Sequence, residues 1–240
     1  MVSVMRVNDI RNKCYPEGKK DMDRIVSLWV YYVIRPASFY ATYVAVRARL
    51  SPNQATLIGL IVGAISIAMA YMGNMFFAAL LLNFFAILDC VDGNLARLSC
   101  PSKAGEYYDA VSGDLINFIF PPVFFLSALR DGHLGSLEFL GSENIIIIII
   151  TIGFVQILTG LASQRLKLIV GPAVQTEHMQ SISLLEIIAR NSFGAAFLFP
   201  ISLIVSIFGG FEILLVYMAI SAPVFYMVSV FRVVNSEEKK

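Results

Sequence analysis

Charged residues are scarce in this chain. Asp, Glu, Lys and Arg make up 15% of its 240 residues, whereas a soluble domain carries about a quarter. Hydrophobic residues make up 58%, and the mean hydropathy is +0.74. These values exclude a disordered chain, a nucleic-acid-binding domain and an ordinary soluble enzyme. The net charge of +1 gives the molecule no overall field that would attract a polyanion, so we expect no nucleic-acid partner.

Cysteine is scarce as well. The three cysteines, Cys14, Cys90 and Cys100, are an odd number, and no two of them have the C-x-x-C spacing. We interpret them as free thiols, which excludes a disulfide framework and a zinc site.

Long apolar stretches are abundant. A membrane helix needs about 20 apolar residues, and the length of the chain suits one bundle of about six such helices. The hydropathy pattern predicts spans at Ala55–Gly73, Met75–Leu88, Tyr107–Leu129, Ile145–Ser163, Phe193–Phe208 and Phe211–Phe231. The predicted fold class is therefore all-α, a polytopic membrane protein with six transmembrane helices. Gly73-Asn74 and Gly209-Gly210 predict tight turns between antiparallel helices.

The positions of the basic residues predict the orientation in the membrane. With the N-terminus in the cytoplasm, all of the 18 lysines and arginines except Arg130 lie on the cytoplasmic side. This distribution follows the positive-inside rule, so both termini are expected in the cytoplasm. We divide the chain into an N-terminal cytoplasmic and juxtamembrane segment (residues 1–50), a six-helix transmembrane domain (residues 51–234) and a short cytoplasmic tail (residues 235–240).

The segment Arg24–Arg49 alternates aromatic with basic residues and is not apolar enough to cross a membrane. This composition predicts an amphipathic helix that lies in the membrane interface and is broken near Pro36. Two roles are open for this helix: it is a simple anchor, or it helps to shape the entrance for a substrate.

Four aspartates lie where charge is costly. They occupy the facing, cytoplasmic ends of the second and third predicted spans: Asp89, Asp92, Asp109 and Asp114. An isolated aspartate at mid-membrane costs on the order of 3 kcal/mol on insertion scales. Such acids can simply mark the water boundary, but four converging carboxylates without matching cations repel one another. The natural partner is a divalent cation such as Mg²⁺, Ca²⁺ or Mn²⁺, because these ions prefer carboxylate oxygens.

A helical wheel places the chemistry of this region on one face. At about 100° per residue, five residues share an arc of about 140°: Asp89, Asp92, Gly93, Ala96 and Arg97. The face offers two carboxylates for a metal, two small residues that let a ligand approach the backbone, and a guanidinium that can grip a phosphate. Further along, Gly105 and Asp109 are four residues apart and also share a face. The arrangement suits a nucleotide diphosphate whose charge is neutralised by a metal and Arg97.

The motif resembles the signature of the CDP-alcohol phosphatidyltransferase family. It reads Asp89-Cys-Val-Asp92-Gly93-Asn-Leu-Ala96-Arg97, followed by Gly105-x3-Asp109. The stretch Leu50-Ser-Pro-Asn53-Gln-Ala-Thr56 also resembles the start of the family's first helix. Members of the family are six-helix membrane enzymes that transfer a phosphoryl-alcohol group from a CDP-alcohol, such as CDP-diacylglycerol, to an acceptor hydroxyl. They release CMP and act in the biosynthesis of phospholipids or related lipids.

The resemblance implies roles for individual residues. It implies one or two divalent cations, Mg²⁺ or Mn²⁺, held by Asp89, Asp92, Asp109 and a fourth acid. For the nucleotide it implies contacts with Asp89, Gly93, Ala96, Arg97, Gly105, Asn53 and Thr56. It further implies a homodimer among membrane lipids, with an active site that faces the cytoplasm. The expected location is a bacterial inner membrane.

The sequence departs from the family pattern at one position. The pattern ends in Asp-x3-Asp, but here the residue four after Asp109 is Gly113, and the next acid is Asp114. In a regular helix Asp114 lies about 100° from the expected direction. We predict that a π-bulge around Val111–Asp114 turns Asp114 toward the other acids, where it binds metal and, with Asp109, serves as the general base. The alternative is a site without its fourth acid.

Basic residues between the fourth and fifth predicted spans are candidates for binding a phosphate on the acceptor: Arg165, Lys167 and Arg190. Ordinary charges that set the topology are the alternative interpretation. Two other functions stay open for the whole chain. One is a relative that binds CDP-alcohol without turnover because of Gly113, and the other is a cation-binding membrane transporter. The sequence does not identify the alcohol or the acceptor.

Overall fold

The computed structural model describes residues 5–99, 103–179 and 195–237, and no strand occurs among them. The helices in chain order are α1 (Val7–Cys14), α2 (Glu17–Val26), a π-helical turn (Val30–Ile34), α3 (Arg35–Arg47), α4 (Pro52–Tyr71), α5 (Met75–Leu98), α6 (Lys103–Arg130), a 3-10 turn (Gly135–Leu140), α7 (Ser142–Met179), a second 3-10 turn (Ala195–Phe197), α8 (Leu198–Phe208) and α9 (Phe211–Glu237). The all-helical fold class predicted from the sequence is confirmed.

Within the described ranges, four helices are long and apolar enough to cross a membrane: α4, α5, α6 and Ser142–Leu161 of α7. They correspond to the first four predicted spans. The last two predicted spans correspond to shorter apolar helices, α8 and Phe211–Val224 of α9. Phe193, where the predicted fifth span begins, lies outside the described residues. Six spans, cytoplasmic termini and an interfacial N-terminal helix stay predictions.

The helices that carry the acidic motif are longer than the hydropathy pattern predicts. Helix α5 continues past Leu88 to Leu98, and α6 begins at Lys103 rather than at Tyr107. A helix continues through polar residues because its backbone hydrogen bonds are satisfied internally, whatever the side chains are. All described residues of the motif therefore lie on two regular helices.

Local sequence signals explain where α4 begins and where the chain turns. Ser51 caps α4 through two hydrogen bonds: its hydroxyl accepts from the Gln54 backbone N–H, and its own backbone N–H donates to Gln54 Oε1. Pro52 opens the first turn of the helix. After α4 the chain reverses at Gly73, whose φ of +84° is unfavourable for a residue with a Cβ. This tight turn and the one at Gly209-Gly210 are confirmed.

Helix α5 lies at the centre of the site region, packed against α3, α4 and α8, while α6 packs against α4 and α7. The α4–α6 contact is close: a Cβ at Gly63 would lie 2.7 Å from Ile116 Cγ1. The main core includes fully buried Phe120, Phe124 and Leu82. This packing holds the first turn of α4 beside the C-terminal half of α5.

The N-terminal helix does not break at Pro36, and the predicted break there is wrong. Ile34 and Arg35 both have α-helical φ and ψ, and the helix passes from the π turn directly into α3. The wider π turn just before Pro36 accommodates the proline ring and its missing N–H. The break lies at Ser27, which is extended with φ −159° and ψ 113°.

One face of α3 packs against the bundle. Its buried residues recur with helical spacing: Arg35, Ser38, Phe39, Thr42 and Ala45. This face contacts both α1 and α5. The N-terminal helices therefore form part of the folded body around the acidic motif.

Candidate functional site

Asp92 is held by a hydrogen bond from the start of α4. The Thr56 hydroxyl donates to Asp92 Oδ2 at 2.8 Å, and the two residues are only 6% and 4% exposed. The other carboxylate oxygen, Asp92 Oδ1, is buried and has no hydrogen-bond partner among the described residues. An unpaired buried carboxylate oxygen is costly, so this oxygen is suited to a cationic ligand.

Two further acids of the predicted site lie beside Asp92. Asp109 on α6 lies close enough to Asp92 on α5 for their carboxyl groups to interact. Asp89, one turn earlier on α5, is close enough to Asp109 for their charges to interact. The structure thus brings together three of the four predicted metal ligands, which we call the acid cluster (Asp89, Asp92 and Asp109).

The donor chemistry of the acid cluster fits a hard divalent cation. All its ligand atoms are carboxylate oxygens, the ligands that Mg²⁺ and Mn²⁺ prefer, and Asp92 Oδ1 is available. Over the ranges that the structure covers, however, no three His, Cys, Asp or Glu side chains are already gathered closely enough to hold a metal ion. The three carboxylates are neighbours in this structure without forming a finished coordination shell.

Gly113 faces the acid cluster. A Cβ on Gly113 would lie 3.5 Å from Asp89 Oδ1. Helix α6 is regular α-helix throughout Val111–Asp114, so the predicted π-bulge is absent. Asp114, which is half-buried, follows Gly113 by about 100° around the helix. The prediction that a π-bulge turns Asp114 toward the other acids is therefore wrong, and the metal-binding and general-base roles of Asp114 stay predictions.

The Arg97 side chain lies next to Gly93, one turn earlier on α5. A Cβ on Gly93 would be 3.4 Å from Arg97 Nη2. On the continuous helix α5, Gly93 and Ala96 are half-buried and Arg97 is exposed. Because the nearest neighbour of Gly93 is the end of a flexible side chain, this position is open to a ligand whenever Arg97 moves.

The remaining predicted residues for the nucleotide lie at two helix starts. Asn53 is exposed in the first turn of α4, and Gly105 is half-buried in the first turn of α6. For the acceptor, Arg165 and Lys167 lie on the described backbone of α7, but their side chains are outside the description, as is Arg190 altogether.

Sequence reasoning missed a buried charge network beside the acid cluster. Arg35 is 6% exposed, and its Nε donates to Asp23 Oδ2 at 2.6 Å. Lys19 pairs with the same carboxylate at 3.2 Å. The charges of Arg35 and Lys19 both act on Asp89. Arg35 Nη1 is buried and has no hydrogen-bond partner in the described part of the chain.

This network partly offsets the negative charge of the acid cluster. Tyr15 also contacts the network, because its ring centroid lies 5.6 Å from the Arg35 guanidinium carbon. Burial, reinforced by the Asp23 charge, raises the pKa of the Tyr15 hydroxyl, so the residue stays neutral. The sequence signal was an arginine on the same helical face as Ser38, Phe39 and Thr42, but nothing in it indicated that this face packs on α5.

Sequence reasoning also missed Asn94, which lies inside the motif. Asn94 is fully buried and accepts a hydrogen bond from Arg97 Nη2 at 3.1 Å. Its amide reaches α3, because Nδ2 donates to Thr42 Oγ1 at 3.0 Å.

Comparison with known proteins agrees with the motif. The sequence model described as CDP-alcohol phosphatidyltransferase matches residues 49–234. The chain is also similar to a bifunctional IPC transferase and DIPP synthase from Archaeoglobus fulgidus, with 42% identity over 77 residues. That alignment covers 32% of this chain and 16% of the relative, so the chain corresponds to a small part of the relative's length.

Proposed function

Because this chain belongs to the CDP-alcohol phosphatidyltransferase family, we propose that it is a membrane enzyme that transfers a phosphoryl-alcohol group from a CDP-alcohol to an acceptor hydroxyl. The acceptor oxygen bonds to the β-phosphorus, the bond from that phosphorus to the bridging oxygen breaks, and CMP leaves. The observation that carries the proposal is the acid cluster, which lies on two adjoining helices close to Arg97.

The acid cluster would hold the divalent cations, Mg²⁺ or Mn²⁺, that the family resemblance implies. A cation bound there neutralises the diphosphate and stabilises the charge on the attacking and leaving oxygens. Thr56 fixes the orientation of the Asp92 carboxylate by occupying Oδ2, which leaves Oδ1 for the ligand. Preorganised ligands of this kind reduce the reorganisation that binding requires.

The donor's phosphates are bound by Arg97, whose guanidinium offers several N–H groups. Gly93 and Ala96 let the nucleotide approach the backbone of α5. Asn53 and Thr56 at the start of α4, and Gly105 at the start of α6, complete the proposed nucleotide site. A phosphate on the acceptor would be bound by Arg165, Lys167 and Arg190.

The acceptor's proton passes to a carboxylate. Asp109 is the first candidate, because it already lies beside Asp92. Asp114 takes this role only if α6 changes conformation around Gly113.

The donor is a CDP-alcohol such as CDP-diacylglycerol. We place the site at the cytoplasmic face of a multi-pass, homodimeric protein. The positions of the basic residues support the orientation in the membrane but not the dimer. A bacterial inner membrane stays a prediction.

One observation favours a second candidate function. Position 113 faces Asp89, and it is the position where the family pattern has its fourth acid. With glycine there, the chain would bind a CDP-alcohol but turn it over slowly or not at all. The transporter hypothesis gains no such support, because the acid cluster lies at the ends of two helices.

The decisive experiment measures CMP release and CDP binding by the detergent-purified protein. A panel of CDP-alcohols and hydroxyl acceptors is supplied with Mg²⁺, with Mn²⁺ and with a chelator. We expect metal-dependent CMP release with at least one pair. CDP binding without CMP release would select the second candidate, and full activity in chelator would refute the cation role. A protein that neither binds CDP nor releases CMP would overturn both proposals.

A further inference from the structure

Asn94 connects the proposed phosphate-binding arginine to the N-terminal helices. It is fully buried on α5. Its Oδ1 accepts from Arg97 Nη2 at 3.1 Å, and its Nδ2 lies 3.0 Å from Thr42 Oγ1 and 3.3 Å from Ser38 Oγ on α3. The Cys14 thiol of α1 donates to the Asn94 backbone oxygen at 3.5 Å. Three separate helices, α1, α3 and α5, therefore meet at this one residue.

The orientation of this amide is dictated by α3. The Ser38 hydroxyl donates its proton to the Arg35 carbonyl at 2.8 Å, and the Thr42 hydroxyl donates to the Ser38 carbonyl at 2.7 Å. Each hydroxyl has one proton, so toward Asn94 it presents only lone pairs. The NH₂ side of the amide must face these acceptors, and Oδ1 must then face Arg97.

We propose that Ser38, Thr42 and Asn94 form a relay by which the N-terminal helix α3 positions Arg97 for the donor's phosphate. The relay uses one N–H of the guanidinium and leaves its other donors available to a phosphate. It works through Arg97 and does not itself touch the substrate. The inference rests on the proposed function in one respect, that Arg97 binds the donor.

The family match begins at residue 49, after α3 has ended. The relay therefore assigns a task at the active site to a segment that lies outside the matched region. The hydroxyls of Ser38 and Thr42 are 0% exposed, and each donates its proton to a carbonyl of its own helix. A helix that only anchored the protein at the interface would not need buried hydroxyls at these two positions. Their placement against Asn94 favours a role for α3 at the substrate site, beyond anchoring or shaping the entrance for a substrate.

The test replaces the hydroxyls and measures CDP affinity by calorimetry in detergent with Mg²⁺. In the double variant S38A/T42V the amide loses both acceptors and can turn its NH₂ group toward Arg97, where donor faces donor. We expect the dissociation constant for CDP to rise about tenfold, as expected for loss of a hydrogen bond to a charged group. The conservative Thr42→Ser keeps a hydroxyl and should bind CDP nearly as the natural protein does.

Ser202 supplies the matched control. It is also 0% exposed and also donates to the carbonyl three residues earlier, that of Phe199, at 3.2 Å. Ser202→Ala should leave CDP affinity unchanged at a similar cost in thermal stability. This comparison separates a loss of positioning from a general loosening of the fold.

A double-mutant cycle with Arg97→Gln measures whether the loss of CDP affinity in S38A/T42V depends on Arg97. A merely structural role for the two hydroxyls would not produce such a dependence. If the relay acts through Arg97, S38A/T42V should produce no further loss of CDP affinity once Arg97 is replaced. Equal losses in both backgrounds, or normal CDP binding by S38A/T42V, would overturn the relay. If the natural protein fails to bind CDP at all, the proposed function itself has failed, and the relay with it.

Discussion

Thr56 illustrates how one hydroxyl decides what a carboxylate can bind. It lies 36 residues from Asp92 in sequence yet donates to Asp92 Oδ2 at 2.8 Å. Satisfying one oxygen leaves the other, Oδ1, as the unpaired ligand atom. The resemblance to the family implied that Thr56 contacts the nucleotide; the contact in this structure is with a proposed cation ligand.

We predict that Thr56→Val lowers CMP release about tenfold, since an unsatisfied buried acceptor costs roughly 1–3 kcal/mol. Asp92→Asn should lower it by at least about a hundredfold, because it removes a proposed cation ligand outright. Thr159→Val is the control, because its hydroxyl donates to the Val155 carbonyl within its own helix, α7, and to none of the three acids. An equal loss with Thr159→Val would contradict the proposed role of Thr56.

A fourth carboxylate can be added to the acid cluster at position 113. Because a Cβ there lies 3.5 Å from Asp89 Oδ1, Gly113→Asp adds a fourth carboxylate to the acid cluster. Without cation, repulsion should lower the melting temperature; with Mg²⁺, the variant should gain more stability than the natural protein gains. Melting curves with and without Mg²⁺ measure both effects.

Asp114→Ala, compared with Asp109→Asn, tests whether the reaction requires Asp114 as well as Asp109. We expect Asp109→Asn to abolish CMP release and Asp114→Ala to retain most of it, because α6 is regular at this point. Loss of turnover in Asp114→Ala, with CDP binding intact, would show that α6 distorts during the reaction and that the bulge forms after all.

At the scale of elements, the docking of α1 on α5 depends on a small buried face. Ile10 and Cys14 are both 0% exposed, and burial raises the pKa of the Cys14 thiol. The thiol donates to Asn94, so α1 supports the residue that holds Arg97. A helix of eight residues is not stable by itself in water, and this contact is part of what holds it.

We predict that Cys14 reacts with maleimide at least about tenfold more slowly than an exposed thiol on the same helix. The raised pKa leaves less thiolate at pH 7 to 8, and thiolate is the reactive form. The comparison is Lys13→Cys in a Cys14→Ser background, since Lys13 is the exposed neighbour. Comparable rates would mean that α1 is undocked in solution.

For the whole molecule, orientation in the membrane decides which compartment the acid cluster faces. Single cysteines introduced at positions 103, 167 and 239 should be labelled from the cytoplasmic side, and one at position 133 from the outside. The measurement uses a membrane-impermeant thiol reagent on intact cells and on inverted membranes. Labelling of position 103 from outside would overturn the proposed location of the site together with the topology.

Much of this architecture follows from local sequence signals. Hydropathy predicted the four long apolar helices, and Gly73-Asn74 and Gly209-Gly210 predicted the turns. Helical spacing placed Asp89, Asp92 and Arg97 on one face. These features depend on residues within one or two turns of each other, which is why the sequence reveals them. The break predicted at Pro36 failed because a proline can follow a π turn without ending a helix.

What the sequence by itself determined is the helical membrane fold and the family motif with its acids and arginine. Only the tertiary structure decided that Thr56 bonds to Asp92 and that the charge of Arg35 acts on Asp89. It also decided that Asn94 connects Arg97 to α3 and that Gly113 faces Asp89. The physical reason is that these relations join residues far apart in the chain, on helices whose rotation and contact are set by close packing rather than by local periodicity.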